Sequence, residues 1–300
     1  YPLKQYKHKR RLKQLLFREY PDVTISMFCN DAHFIPGIKD GSAKLLEIHF
    51  SKFKRMQYGR KGLWRLADWW RSKQDEKTVQ RFDKFIVLTE EDRGYWGALS
   101  NIRVIPNALT FSTSQVSSLE NKKVVAIGRY THQKGFERLI DAWNMLAPQF
   151  PDWKLDIVGD GEERSGLQRQ IQLYGLEQQI ALVSPTRNIE KVYQEASLFV
   201  LSSRYEGLPM VLLEAQAFGL PVVSFTCKCG PKDIVEEGVT GYLVEEGDIQ
   251  GLARQMAVLM GNESLRKQMG RKAKEASFRY SEETVMKQWL DMFRCCSLKK

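Results

Sequence analysis

The sequence has no uncharged apolar run approaching the length of a membrane span. It also lacks the charged-then-apolar leader of a secreted chain, so the expected compartment is the cytoplasm. Cysteine is scarce and odd in number: Cys29, Cys227, Cys229, Cys295 and Cys296. With no repeated C-x-x-C spacing, these thiols argue against a disulfide framework and fit reduced cytosolic side chains. Cys227-Lys228-Cys229 has no second ligand pair in the sequence, which argues against zinc. No G-x-G-x-x-G and no P-loop occurs, so neither dinucleotide binding nor ATP hydrolysis has motif support. No recognised nucleic-acid-binding module occurs, and no nucleic-acid partner is expected.

What is present is the composition of a globular protein, 43% hydrophobic and 27% charged over 300 residues, enough for two domains. The charge is one-sided. Residues 1–120 hold 22 Lys and Arg against 13 Asp and Glu, a balance of +9, whereas the remainder holds 24 against 23. A basic half suggests an anionic partner, such as a membrane surface or a phosphate-bearing substrate; a merely solvated basic face is the alternative.

The first part contains four strand-like runs, at 23–29, 44–50, 85–90 and 102–107, with a basic helical stretch over 61–82. The polar, Ser-rich segment near 111–122 reads as a linker. From 123 onward, six short apolar runs (124–129, 154–160, 180–185, 198–203, 221–225 and 242–246) alternate with helical patterns such as 136–146 and 189–196. Continuous apolar strands between helices are the mark of a parallel sheet covered on both faces. The reading is α/β with two Rossmann-like domains. The expected organisation is a first domain over 1–110, a linker over 111–122, a second domain over 123–280 and a helix over 281–300 that crosses back. The chain opens on Tyr1, and four strands look like the second half of a doubly wound domain, so the first domain is expected to be partial.

Ligands of such sheets sit beyond the carboxyl ends of the strands. Two loops there carry chemistry. GRYTHQKG (128–135) offers Arg129 and Lys134, and SRYEGLP (203–209) offers Glu206 followed by Gly207, Leu208 and Pro209 before an apolar helix that contains Glu214. Two cations and a glycine-bearing helix start suit a diphosphate, because the charges neutralise its oxygens and free backbone N–H groups add donors. Pro209 is expected at the first helical position, where its missing N–H costs nothing. An ionised carboxylate only accepts hydrogen bonds, which suits Glu214 to paired hydroxyls such as those of a ribose. Glu206, nearer the phosphate end, could hold the hydroxyls of a second sugar. Taken singly, each carboxylate also has a plain reading, Glu206 as a partner of the helix dipole and Glu214 as an exposed helix residue.

Taken together, EGLPMVLLE (206–214), GRYTHQKGFERLI (128–140), VGDGEE (158–163), PNA (106–108) and GPKDIVEEGVTGYLV (230–244) resemble the donor half of the retaining GT-B glycosyltransferases of family 4. The resemblance covers about residues 20–294. It implies a GT-B fold in which two Rossmann-like domains face across a cleft. It also implies transfer of a sugar from a nucleotide-sugar, a UDP-sugar being favoured, to a glycan or lipid-diphosphate-linked acceptor in surface polysaccharide assembly at the inner face of the membrane. By the resemblance, Arg129 and Lys134 bind the donor diphosphate with Gly207, Leu208 and Pro209. Glu214 takes the ribose, Glu206 takes the transferred sugar, and His49, at the end of the second strand, faces that sugar. From the residues alone His49 also has a structural reading, and His132, in the phosphate loop, is the runner-up. VSPTRN (183–188), where the family's base contacts fall, has Pro185 where a glycine is common.

No Asp-x-Asp pair occurs, which removes the usual carboxylate motif for a divalent ion on a nucleotide-sugar. Neither metal nor cofactor is therefore expected, and the cationic pair would stabilise the departing diphosphate. The family's glycine-rich loop near the phosphates is missing from the first part, which leaves a non-catalytic nucleotide-sugar-binding module as the alternative reading. Residues 52–73 carry eight Lys and Arg and one Asp, interleaved with Trp64, Trp69 and Trp70. They suit a surface resting on anionic lipid, with core packing of the tryptophans as the alternative.

Overall fold

The computed structural model describes residues 2–54, 62–110 and 115–297. The chain forms two compact units, residues 1–106 with 285–300 and residues 107–284.

In the first unit, β1 (Val23–Ser26), β2 (Ala43–Glu47), β3 (Lys84–Val87) and β4 (Ile102–Val104) form a parallel sheet in the order β1-β2-β3-β4. Leu45 pairs with Lys84 and Phe85 with Ile102 across its centre. Among the described residues, this stretch of chain holds the α-helices α1 (Pro2–Glu19), α2 (Leu63–Val79) and α3 (Glu90–Trp96). The core gathers Leu46, Ile48, Phe82, Phe85, Val87 and Trp96. α3 starts where Thr89 accepts a hydrogen bond from the Asp92 N–H at 3.0 Å, with three carboxylates in its first turn facing the positive end of the helix dipole.

In the second unit, strands and helices alternate: β5 (Lys123–Ile127), α4 (Phe136–Leu146), β6 (Lys154–Val158), α5 (Arg164–Leu173), β7 (Ile180–Val183), α6 (Ile189–Glu195), β8 (Leu198–Leu201), α7 (Met210–Ala217), β9 (Val222–Phe225), α8 (Pro231–Ile234) and β10 (Gly241–Val244). Two longer helices follow, α9 (Ile249–Gly261) and α10 (Glu263–Ser277). The last helix, α11 (Glu282–Ser297), belongs to the first unit from Val285 on. The sheet is parallel throughout, in the order β10-β9-β8-β5-β6-β7. The chain therefore enters at β5 in the middle, winds outward through β6 and β7, then returns to the other side of β5 with β8. The strand order reverses between β5 and β8, and the loops leaving those two strands border the crevice that such a reversal opens.

All ten expected strands are present, and all but β9 stop short of the end of their apolar runs. Ile48, Leu88 and Ile105 are buried at 1, 6 and 3% exposure although they lie past the ends of their strands. An apolar run reports burial, not ladder pairing, and these side chains continue the core into the loops. The basic helix occupies 63–79 within the expected 61–82; residues 55–61 lie outside the described residues. Of the Ser-rich segment, 111–114 lie outside the described residues and the rest packs on the second unit. Ser117 N–H donates to the Phe218 carbonyl at 2.9 Å, and the Ser117 hydroxyl donates to Ala196 O. Core packing of the three tryptophans is overturned: Trp64, Trp69 and Trp70 are 64, 54 and 59% exposed.

Candidate active site at the strand reversal

The loop after β5 runs from Gly128 to Gly135, and the loop after β8 from Ser202 to Pro209. Several hydrogen bonds join them. The Arg204 N–H donates to Gln133 O at 2.8 Å, the Gln133 side-chain amide donates to Tyr205 O at 2.9 Å, and the Ser202 hydroxyl donates to Lys134 O at 2.9 Å. Arg204 also donates to His132 O at 2.6 Å and is ion-paired with Glu137 at the start of α4. Gly135 is needed here. It caps α4 in the left-handed region at φ +61, and a Cβ there would overlap the Ser202 carbonyl oxygen.

Within this frame Lys134 Nζ lies 2.8 Å from Glu206 Oε1, with the two side chains 15 and 9% exposed. No sequence signal joins the two, because 72 residues separate them. Glu206 is further held through its backbone: its N–H donates to Lys228 O at 2.7 Å and its carbonyl accepts from the Cys229 N–H at 3.1 Å. Charge pairing and two main-chain bonds make this carboxylate a fixed feature, not a wandering surface group. Its second oxygen, Oε2, accepts no hydrogen bond from the described residues.

Pro209 does not open α7. It sits at the cap in an extended conformation (φ −73, ψ 91), its carbonyl accepting from the Leu212 N–H at 2.9 Å, and Met210 is the first helical residue. The ring cannot donate in either place, so the one-residue shift leaves the logic of a donor-poor start intact. No side chain caps α7, and the backbone N–H groups of its first turn face the crevice end of the element. Gly207 is half-buried, while Leu208 and Pro209 are buried, with Gly230 (φ +101) packed so closely that a Cβ on it would press on the Pro209 ring.

Glu214 is half-buried on α7, and its Oε2 accepts a hydrogen bond from the Tyr193 hydroxyl at 2.6 Å. Tyr193, on α6, is fully buried and stacked on Phe218 with ring centroids 5.2 Å apart. Burial, reinforced by the Glu214 charge, pushes its hydroxyl well above the ordinary tyrosine range, so it remains a donor. Glu214 Oε1 accepts nothing from the described residues. Each of the two glutamates thus has one oxygen engaged by the protein and one that accepts no hydrogen bond from the described residues. Nothing in the sequence marks Tyr193 as a partner of Glu214: it reads there as one more apolar residue of an amphipathic helix.

Arg129 is exposed, and its guanidinium forms no hydrogen bond or ion pair among the described residues. It borders a cavity of about 300 Å³ floored by Ile127, Gly128, Val158 and Gly159 and closed by Pro185 and Ile189. Gly128 and Gly159 touch so closely that a Cβ on Gly159 would overlap the Gly128 carbonyl oxygen. The mostly apolar lining suits a flat ring better than a phosphate. Behind it, Tyr130 is buried with its hydroxyl on Ile157 O at 2.7 Å, and burial pushes its pKa up to about 12.

His49 lies in the first unit, 36% exposed, with Nε2 3.1 Å from Glu47 Oε1. His132 is exposed in the loop after β5. Among the described residues no group of three or more His, Cys, Asp or Glu side chains is placed to hold a metal ion, and no helix is long and apolar enough to cross a membrane.

The second unit is thus a parallel α/β fold whose strand-reversal loops, with α7, carry two cations and two carboxylates. The chain belongs to the glycosyl transferases group 1 family, which matches residues 110–276. It is 37% identical over 220 residues to the amylovoran biosynthesis glycosyltransferase AmsD of Erwinia amylovora, an alignment covering 70% of this chain and 62% of that protein. The chain thus spans about three fifths of the curated relative's length. In structure it is similar to S. aureus TarM in complex with fondaparinux, alpha-GlcNAc-glycerol and UDP, at a TM-score of 0.76 and 25% identity, over 94% of this chain and 58% of that one. It also matches Anabaena HepE in complex with UDP at a TM-score of 0.80 and 20% identity, over 96% of this chain and 82% of that one, which speaks for the fold. The fold is that of GT-B glycosyltransferases.

Proposed function

We propose that this chain binds a nucleotide-sugar, with a UDP-sugar favoured, and transfers its sugar with retention to a glycan or lipid-diphosphate-linked acceptor. The observation that carries the reading is the pairing of Lys134 with Glu206 on the two loops that leave the strand reversal. In this reading the donor diphosphate enters between Arg129 and Lys134 and takes over the ammonium that Glu206 holds in the free protein. The N–H groups of Gly207 and Leu208 and the first turn of α7 add donors. Glu214 Oε1 accepts from the ribose, the cavity beside Pro185 and Ile189 takes the base, and Glu206 turns to the hydroxyls of the transferred sugar.

During transfer the bond between the anomeric carbon and the diphosphate oxygen breaks as the acceptor hydroxyl attacks from the same face. The electron pair goes to the diphosphate, whose leaving oxygen takes the proton of the acceptor hydroxyl, while Arg129 and Lys134 stabilise the developing charge. Their electrostatic role is the one a divalent ion would otherwise fill, and metal-independent transfer is part of this reading. His49 is assigned to the donor sugar by the family resemblance alone. UDP in the TarM structure and glycosyl transfer by AmsD support the substrate class.

Calorimetric titration with UDP and GDP, together with a transfer or donor-hydrolysis assay, tests the proposal. Wild type is expected to bind UDP more tightly than GDP, and Arg129→Ala to weaken binding by at least about tenfold, the loss of one charge-assisted contact. Glu206→Gln is expected to keep nucleotide binding and lose transfer by about a hundredfold or more. Full transfer by both variants overturns the site assignment, and binding without any turnover by the wild type reduces the chain to a binding module.

A further inference from the structure

The other buried tryptophans show what this chain does with indoles when it packs them. Trp96, Trp143 and Trp153 are 7, 0 and 4% exposed. On α2, Trp64, Trp69 and Trp70 are more than half exposed, and so is Leu66 at 64%. Large apolar side chains left in water on one element are informative in a way that a single exposed leucine is not. The inward stripe of α2 is taken by Asp68, Asp75, Thr78 and Val79, all buried, so the tryptophans are not misplaced core residues. At roughly 100° per residue, Arg65, Leu66, Trp69, Trp70 and Lys73 share one outward arc of about 140°, while Trp64, exposed at the first turn, lies off that arc. An open groove of about 440 Å³ runs along Gly62, Arg65, Leu66 and Trp69.

The charge on this face is net basic, its one carboxylate, Glu76, being paired with lysines. Lys77 extends the arc, and the two aspartates of the helix are buried beneath it. Glu76 is held by Lys52 and Lys73, each at 2.9 Å, which keeps its carboxyl below its usual range although partial burial opposes that. α1 adds seven Lys and Arg against the single Glu19, with Tyr6 and Phe17 at 66 and 50% exposure. Both helices dock on the segment 30–37 of the same unit, α1 through His8 on Asp31 at 2.8 Å and α2 through Thr78 on His33 at 3.3 Å.

We propose that α2, assisted by α1, is a membrane-docking face. Trp69, Trp70 and Leu66 enter the headgroup layer of an anionic bilayer while Arg65 and Lys77 engage lipid phosphates. Indole rings favour that layer because it accepts an apolar body and a hydrogen-bonding N–H together. The basic side chains stretch their stems along it and keep their charges at the phosphates. A second copy of the chain is disfavoured as the occupant, since a two-fold contact would set these cations against themselves. Nucleic acid would match the cations but leave Leu66 without a partner. The proposal is independent of the donor-site reading and needs neither donor nor acceptor.

The test is co-sedimentation of the chain with phosphatidylcholine vesicles, with and without about a third phosphatidylglycerol, at low and high salt. Binding to the anionic vesicles alone is expected, falling several-fold as salt screens the charges. Trp69→Ser/Trp70→Ser is expected to lose at least about tenfold in binding. Arg65→Glu/Lys77→Glu, which disturbs no ion pair of the described residues, is expected to lose as much with its melting temperature unchanged; it stands as the test should the tryptophan variant not fold. Equal binding to neutral and anionic vesicles, or undiminished binding by a folded variant, overturns the proposal. So does absence of vesicle binding, whether or not the same variants abolish a dimer or the binding of an oligonucleotide.

Discussion

Tyr193 decides where Glu214 points, and the two side chains come from different helices. Replacing the hydroxyl in Tyr193→Phe removes the bond at 2.6 Å without opening a cavity. Losing one hydrogen bond to a charged group is worth about 1.5–3 kcal/mol where the carboxylate stays desolvated and less where water replaces the donor. A half-buried Glu214 lies between these limits. Nucleotide affinity is therefore expected to fall about five- to tenfold, with the melting temperature within a few degrees of wild type; calorimetry with UDP alongside thermal unfolding reads both. Two buried hydroxyls also set an alkaline limit. Burial raises Tyr130 to about 12 and Tyr193 well above its ordinary value near 10, so the unfolded chain ionises first as pH rises. The stability these groups contribute is complete below pH 10 and declines above it, through about pH 12 for Tyr130, by up to roughly 2–3 kcal/mol for that residue. Denaturant midpoints between pH 9 and 12 should fall for wild type and fall less steeply for Tyr130→Phe, which starts lower because it loses its bond to Ile157 O.

Among the elements, the loop after β5 depends on Gly135, which no side chain can replace without strain. Gly135→Ala would force a Cβ into the Ser202 carbonyl and hold an L residue at φ +61. The expected cost is about 2–4 kcal/mol, the sum of a backbone penalty near 1 kcal/mol and a steric shift of the loop. Chemical denaturation measures it, and a loosened Lys134–Glu206 pair should weaken nucleotide binding in parallel. Thr89→Ala, which removes the cap of α3, should cost only about 1 kcal/mol and leave nucleotide binding unchanged, because it touches the other unit. Much of the element pattern is legible in the sequence. Val124 to Ala126, Phe199 and Val223 are fully buried, and their runs mark central parallel strands. Strand ends are less legible, because Ile48 and Leu88 are as apolar as the strand residues before them. Hydrogen bonding, which ends a strand, leaves no trace in hydrophobicity.

At the level of the molecule, the proposed donor-site residues Arg129, Lys134, Glu206 and Glu214 all lie within residues 107–284, which have their own sheet and core. A fragment of those residues is expected to fold and to bind UDP within about threefold of the intact chain, by circular dichroism and calorimetry, since the proposed contacts are complete within it. A folded fragment that fails to bind would mean that the nucleotide needs groups from outside this unit. The charge imbalance is also a molecular property. The +9 carried by residues 1–120 is concentrated in part on α1 and α2, and composition alone reveals it. Composition does not reveal whether the tryptophans among those cations are core or surface, because a helix buries whichever stripe its neighbours cover.

The order of elements, the parallel class of the larger sheet and the candidate loops follow from the amino-acid sequence. Each is local: an apolar run, a helical period, or a short motif next to a strand end. Which side chains meet is settled only in three dimensions. Lys134 and Glu206 are 72 residues apart and Tyr193 and Glu214 are 21 apart, and both pairs come together because the chain crosses back over β5 before making β8. The same holds for the face of α2, whose aspartates turn inward and whose tryptophans turn out, against what hydrophobicity alone would assign. Local chemistry is written residue by residue, whereas contact depends on the path of the whole backbone.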